Sequence, residues 1–180
     1  MEIRRVVTGT DDNGDAVIVS DGVAPRSHTF EHTPQMSHVL AWATEAGDSF
    51  DALTSDQSEA RGFVPGPGGT RFMIVQFPPG SIFASADFDP EAAGEEQLKR
   101  TPGLAELFEP DAPGKHTTET IDYGIVLDGE LWLELDNEVE TKLLPGDMIV
   151  QNATRHSWGV RTEVPATLAV FMVGVDRNKS

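Results

Sequence analysis

Between Gly114 and Trp158 the chain alternates short β-rich runs with tight turns, and a histidine stands near each end. The stretch reads G-K-H-T-T-E-T-I-D-Y-G-I-V-L-D-G-E-L-W-L-E-L, and later P-G-D-M-I-V-Q-N-A-T-R-H-S-W. Branched and aromatic residues fill the runs, as a pleated, half-buried surface requires. Asp128-Gly129 predicts a hairpin turn, Asp136-Asn137 a weaker one, and Pro145-Gly146-Asp147 a further turn. Side chains alternate along a strand, so His116, Thr118, Thr120 and Asp122 share one face. Ile121, Tyr123, Ile125 and Leu127 share the other, and that face is apolar too. An antiparallel strand buried on both faces needs a second cover. The N-terminal segment or a second copy of the chain would supply it, so a capping arm or a homodimer is expected.

The rest of the chain reads as further strands. Residues 3–22 form a hairpin about Asp11-Asp12-Asn13-Gly14, and residues 23–37, with Pro25 and Pro34, are irregular. His28 and His32 fall there as surface or supporting histidines, and His38 follows. Ser37 to Thr44 and Arg71 to Phe77 are strands, separated by a 45–69 loop ending in Pro65-Gly66-Pro67-Gly68-Gly69. Residues 84–115 are acidic and proline-rich; Asp89-Pro90 marks a helix start, and Leu104 to Phe108 a short helical turn. This excursion is either a lid or surface decoration. Met148 to Gln151 and Thr167 to Val175 add strands. At least seven strands with one helical excursion predict an all-β sandwich or barrel. The expected organisation is one domain over 1–180: N-terminal strands and arm in 1–80, the excursion in 84–115, and the core in 116–175.

A length of 180 residues suffices for a sizeable core. The formal charge of −17 opposes nucleic acid and anionic membrane surfaces as partners. The absence of cysteine removes disulfides, thiolate metal sites and thiol nucleophiles. No apolar signal core or membrane-length run occurs, so a cytoplasmic location is expected. His156 lies on a later strand than His116, and two histidines with one carboxylate form the ligand set of facial-triad iron sites, also suited to zinc, manganese or nickel. The same residues can also be hydrogen-bonded pocket histidines without metal.

These motifs resemble those of the cupins, the RmlC-like jelly-roll proteins. His116 matches the first histidine of the first cupin motif, Thr118 stands where its second histidine belongs, and Asp122 where its glutamate belongs. Pro145-Gly146-Asp147 matches the second motif's turn, and His156 its histidine at a longer spacing. The chain is similar to small single-domain cupins with H-x-T-x-T-x-D-Y-G-x-V-L-x-G-E. The resemblance implies a jelly-roll barrel with an N-terminal β extension and one short helical excursion. It also implies a divalent metal (Fe, Zn, Mn or Ni) on His116, Asp122 and His156, with a threonine weakening the set. No nucleotide cofactor is expected.

His116, Asp122 and His156 are thus the catalytic candidates, and Thr118, Thr120, Gln151, Trp132 and Trp158 the candidate pocket lining. By parity Trp132 either lines the pocket or packs under the excursion. The expected function is a small-molecule enzyme, dioxygenase-, decarboxylase- or cyclase-like, acting on a carbonyl or aromatic, polyketide-like metabolite. Two other readings are a ligand-binding cupin without turnover and a metal-free His/Asp acid–base lyase or isomerase.

Overall fold

Antiparallel pairing accounts for every strand contact in the computed structural model, which describes residues 1–49, 56 and 58–176. Residues 50–55 and 57 of the expected 45–69 loop lie outside the described residues. The strands are β1 (Arg4–Thr10), β2 (Ala16–Val23), β3 (Arg26–Thr29), β4 (Ser37–Thr44), β5 (Thr70–Phe77), β6 (Thr120–Asp128), β7 (Leu131–Glu134), β8 (Glu140–Leu143), β9 (Met148–Asn152), β10 (Ser157–Gly159) and β11 (Ala166–Gly174). The helix α1 spans Pro90–Arg100. A six-stranded sheet runs β3-β4-β5-β11-β6-β9, a three-stranded sheet runs β10-β7-β8, and β1-β2 form a separate hairpin. This is the antiparallel two-sheet arrangement that the turns and alternation predicted, and the jelly roll that the resemblance implied.

Strand parity decides which residues enter the interior. Along β6 the buried positions are Thr120, Asp122, Gly124 and Val126, while Tyr123, Ile125 and Leu127 are exposed. Val126, Leu131, Leu143, Val160, Ala166 and Leu168 form one core cluster. Leu40, Phe63, Met73, Val75 and Met172 form a second. Both belong to the inner faces, and each fully buried aliphatic or aromatic side chain contributes about 1.5–3 kcal/mol.

Two expectations are corrected. Asp128-Gly129 is not a hairpin turn. β6 pairs with β11 and β9, and β7 pairs with β10 and β8, so the chain there crosses from one sheet to the other. Gly129 has φ +77°, and a Cβ on it would run into the Pro165 carbonyl and Ala166. The glycine serves a close-packed corner. The true hairpin lies at the weaker signal, where Asn137 and Glu138 both have positive φ between β7 and β8. Residues 23–37 are also more regular than expected, because β3 pairs with β4 and sets His28 opposite His38.

The helical excursion follows its sequence signals. Asp89 caps α1 by accepting from the Glu91 and Ala92 amides at 3.0 and 3.1 Å, with Pro90 at the first helical position. Glu96 ties α1 to the β3–β4 loop. Its carboxylate accepts from the Glu31 and His32 amides at 3.0 and 2.9 Å and bonds His28 Nε2 at 2.8 Å. At the opposite end of the sheet the Pro-Gly-Gly element docks on β11. The Gly68 amide donates to the Gly174 carbonyl at 2.9 Å, and the Gly174 amide to that of Gly69 at 3.0 Å. Among the described residues no helix is long and apolar enough to cross a membrane.

Candidate functional site

His116 and His156 stand where the two sheets meet. Each donates its backbone amide to the other's carbonyl at 3.0 Å, an antiparallel bridge joining the lead into β6 to the lead into β10. Their rings lie 4.4 Å apart between centroids and are tilted by 51°. Nδ1 of His116 lies 3.1 Å from the Gly114 carbonyl, and Nδ1 of His156 3.0 Å from that of Thr154. A carbonyl oxygen only accepts, so each ring carries its proton on Nδ1 and leaves the Nε2 lone pair free. The turn conformations at Gly114 (φ +82°) and Ala153 (φ +48°) bring those carbonyls back onto the rings.

Aromatic rings extend this pair on both sides. Phe108, from the excursion, meets His116 edge-on at 4.9 Å. Trp158 meets His156 edge-on at 5.7 Å, and Phe77 of β5 packs at 6.2 Å from Trp158. The excursion is further tied down by Arg155, whose Nε and Nη2 donate to the two oxygens of Glu109 at 2.7 and 2.6 Å. The end of the excursion, at Phe108 and Glu109, is therefore held beside the histidines.

Desolvation dominates the electrostatics. Burial pushes the His156 imidazole down to about 4, and the neighbouring His116 pushes the same way; the Thr154 hydrogen bond opposes them. Burial also lowers His116, against its bond to Gly114 and the charge of Glu109. Both rings are neutral at pH 7. Burial raises the Asp122 carboxyl from 3.8 to about 6, with the Thr120 hydroxyl pulling modestly the other way. Oδ1 of Asp122 is buried without a hydrogen-bond partner. Such an atom costs about 1–3 kcal/mol.

The remaining candidates divide. Thr118 and Thr120 are buried on the face of His116, and their hydroxyls bond each other at 2.7 Å. Gln151 is buried opposite Asp122 in the β6–β9 register and spends its amide nitrogen on Thr154. Trp158 packs with the inner core cluster. Trp132 does not line the interior. Leu131 and Leu133 take the inward positions of β7, so Trp132 faces out, with the Arg161 guanidinium 3.9 Å over its ring and its Nε1 donating to Glu130. Phe77 and Phe108 were missed by the sequence reading. The alternation of β5 carries the signal for Phe77, whereas no periodicity marks Phe108.

The metal expectation fails its geometric test. Two imidazoles with free Nε2 atoms have the usual form of metal ligands, each ring fixed by a backbone carbonyl. A triad needs a third donor, and among the described residues no three His, Cys, Asp or Glu side chains come together as a metal-holding group. Asp122 lies six residues along from His116 with Thr118 and Thr120 between them, and the threonine at 118 replaces the expected second histidine. The residues as arranged do not form the His116–Asp122–His156 centre.

No family model matches the chain. Curated relatives do. The chain is 46% identical over 57 residues to phomopsin biosynthesis cluster protein C′ of Diaporthe leptostromiformis, covering 32% of this chain and 30% of the relative. It is 25% identical over 154 residues to the cupin-domain-containing oxidoreductase fogC of Aspergillus ruber, covering 86% of this chain and 62% of the relative. It is 41% identical over 46 residues to oryzines biosynthesis cluster protein J of Aspergillus oryzae, covering 26% of each. The chain thus spans less than two thirds of the length of these relatives. Among solved structures, ethanolamine utilization protein Q of Salmonella typhimurium LT2 aligns with TM-score 0.43 and 10% identity over 98% of this chain and 99% of that one.

Two antiparallel sheets enclosing the motif histidines define a jelly-roll protein with a histidine-lined interior. With the motif residues in place, the chain has a cupin-type fold and is similar over most of its length to the cupin-domain-containing protein fogC.

Proposed function

We propose that the chain is a cupin-type enzyme of small-molecule metabolism that works by proton transfer at His116, His156 and Asp122, without a metal. The observation that carries this reading is the fixed tautomer of both rings. Two Nδ1–H groups are committed to backbone carbonyls, leaving two uncharged Nε2 acceptors side by side. An enolisable or phenolic ligand supplies a proton or O–H donor to that pair. Asp122 offers an unpaired carboxyl oxygen with a pKa near 6, suited to exchanging a proton close to neutral pH. Phe108, Phe77 and Trp158 favour a flat, apolar ligand body. Two relatives are named for natural-product biosynthesis clusters, which supports a small natural-product metabolite as the substrate class.

A second reading is a metal-dependent enzyme, whose oxidoreductase class is favoured by the name and length of the match to fogC. Metal analysis of protein purified without a histidine tag separates the two. The proton-transfer reading expects no stoichiometric metal, together with ring nitrogen NMR shifts of two neutral Nδ1–H imidazoles. Stoichiometric iron, zinc, manganese or nickel that is lost in both His116→Ala and His156→Ala would replace it with the metal reading.

A further inference from the structure

The two histidines are held alike except in one respect. Each ring is tied through Nδ1 to the carbonyl two residues before it, Gly114 for His116 and Thr154 for His156. Each is also met edge-on by an aromatic ring, which fixes the tilt that a single hydrogen bond leaves free. For His156 that ring is Trp158, two residues further along in β10, at 5.7 Å and 79°. The equivalent place after His116 is Thr118, which has no ring and whose hydroxyl bonds Thr120. His116 takes its perpendicular ring from Phe108 instead, at 4.9 Å and 80°. Phe108 belongs to no strand, so no β-ladder sets its place.

The loop that follows Phe108 closes on itself. The Glu109 amide donates to the Lys115 carbonyl at 2.9 Å, the Lys115 amide to that of Ala112 at 2.9 Å, and the Ala112 amide to that of Glu109 at 3.3 Å. Pro110 and Pro113 stiffen it further. A loop packed in this way shifts as one body, carrying Phe108 at its neck. Its ties to the strands are two cations, each the residue just before a histidine. Lys115 Nζ donates to the Leu135 carbonyl at 2.8 Å. Arg155 holds the Phe108 end, with Nε and Nη2 on the two Glu109 oxygens at 2.7 and 2.6 Å and Nη1 on Asp136. Its planar fork fixes angle as well as distance, which a single donor does not.

We propose that Arg155 is a positioning residue for His116: by clasping Glu109 it sets Phe108 edge-on against the imidazole and so fixes the direction of the free Nε2. The neighbour of one histidine thus orients the other. Arg155 acts through Glu109 and Phe108, not on a ligand. The proposal rests on the proton-transfer reading only for its effect on turnover; the ring geometry stands whatever the pair does. The Arg155 and Glu109 side chains are 33% and 37% exposed, so water and salt partly screen the clasp. Its loss shifts the placement of the loop by about 5-fold.

Five histidines give a ring-proton NMR spectrum simple enough to follow each one in the full chain. Phe108→Leu supplies the His116 shift without its perpendicular ring. Arg155→Gln and Glu109→Gln should each move the His116 signal towards that value, and the double variant no further than either. Salt at about 1 M should do the same to the wild type. Reaction of His116 with diethyl pyrocarbonate, read by peptide mass spectrometry, should quicken by about 5-fold in both single variants. Asp136→Asn removes the other partner of Arg155 and should leave His116 in place. His38, buried against Phe30 and Phe63, reports general loosening and should not change. A His116 signal that keeps its wild-type shift in Arg155→Gln overturns the proposal. So does a shift in Asp136→Asn as large as in Glu109→Gln, because Arg155 would then act through the β7–β8 turn, and so does a His38 signal that moves with His116. Turnover lost in Arg155→Gln with His116 in place overturns the proposal and leaves the proton-transfer reading standing. Turnover kept with His116 displaced supports the positioning and sinks the proton-transfer reading alone.

Discussion

Asp122→Asn should make the protein more stable at neutral and alkaline pH. The folded state raises this carboxyl from 3.8 to about 6 because burial penalises its charged form. The sign follows from proton binding. Below about pH 4 the group is protonated whether the chain is folded or unfolded and favours neither state differentially. Between the two values the folded chain holds a proton that the unfolded chain has released, so stability falls as pH rises. Above about 6 the full penalty is present, and the span corresponds to roughly 3 kcal/mol. Asparagine keeps the shape and removes the charge, so the difference between variant and wild type should be small at pH 4 and approach that figure at pH 8. Its amide needs a partner in the same place, which will reduce the gain by about 1 kcal/mol. Urea denaturation followed by tryptophan fluorescence, at one protein concentration and several pH values, measures the difference. A variant equally or less stable than wild type at pH 8, or a difference that does not change with pH, would refute the argument. On the proposed function the same variant loses turnover, which is the usual conflict between a strained site and stability.

Other perturbations have equally direct outcomes. His156 acts in the opposite direction: its folded pKa of about 4 lies below the ordinary 6.5, so its contribution to stability is present above 6.5 and lost as pH falls towards 4. His156→Phe should therefore flatten the acid limb of the wild-type stability profile. Gly174→Ala forces a Cβ into the Gly66 carbonyl, with backbone on both sides, and should cost about 3 kcal/mol or more, read as a lower urea midpoint or insoluble protein. Arg71→Ala leaves the Gly62, Thr44 and Thr70 carbonyls without their buried donor and frees Glu45, for a loss of about 3–5 kcal/mol by the same assay. Trp132→Leu should leave any ligand affinity of the interior unchanged, since the ring packs outside under Arg161.

Most of the fold was legible because it rests on local chemistry. The period-two alternation puts His116, Thr118, Thr120 and Asp122 on one face without knowledge of any partner strand, and all four are buried. Asp89-Pro90 announced a helix through one cap and one fixed dihedral. The misreadings came where the outcome depends on distant chain. Trp132 has the parity of an outward residue on β7, and only the partners of Leu131 and Leu133 show which side of that short strand is inside. Phe108 reaches His116 through a segment with no periodicity to read. The pairing of β3 with β4 depends on Phe30 and Met36 closing a turn across residues that look irregular in isolation.

The Asp128-Gly129 corner shows how this limit bears on the site. A two-residue turn signal says that the chain reverses, and in isolation the strongest such signal here implies a hairpin. A hairpin would pair β6 with β7 and hold both in one sheet. Instead the chain steps to the opposing sheet, where β7 takes β10 as its neighbour. That step puts the two sheets face to face, and at its far end the leads into β6 and β10 meet through the His116–His156 bridge. The close histidine pair is therefore a consequence of crossing at Gly129. Gly129→Ala should disturb it from the other end of β6: the strain at φ +77° and the overlap with Pro165 and Ala166 must be relieved by moving the corner. The ring-nitrogen shifts of His116 and His156 report that movement directly. Spectra unchanged in a folded Gly129→Ala protein would show that the corner and the pair are independent.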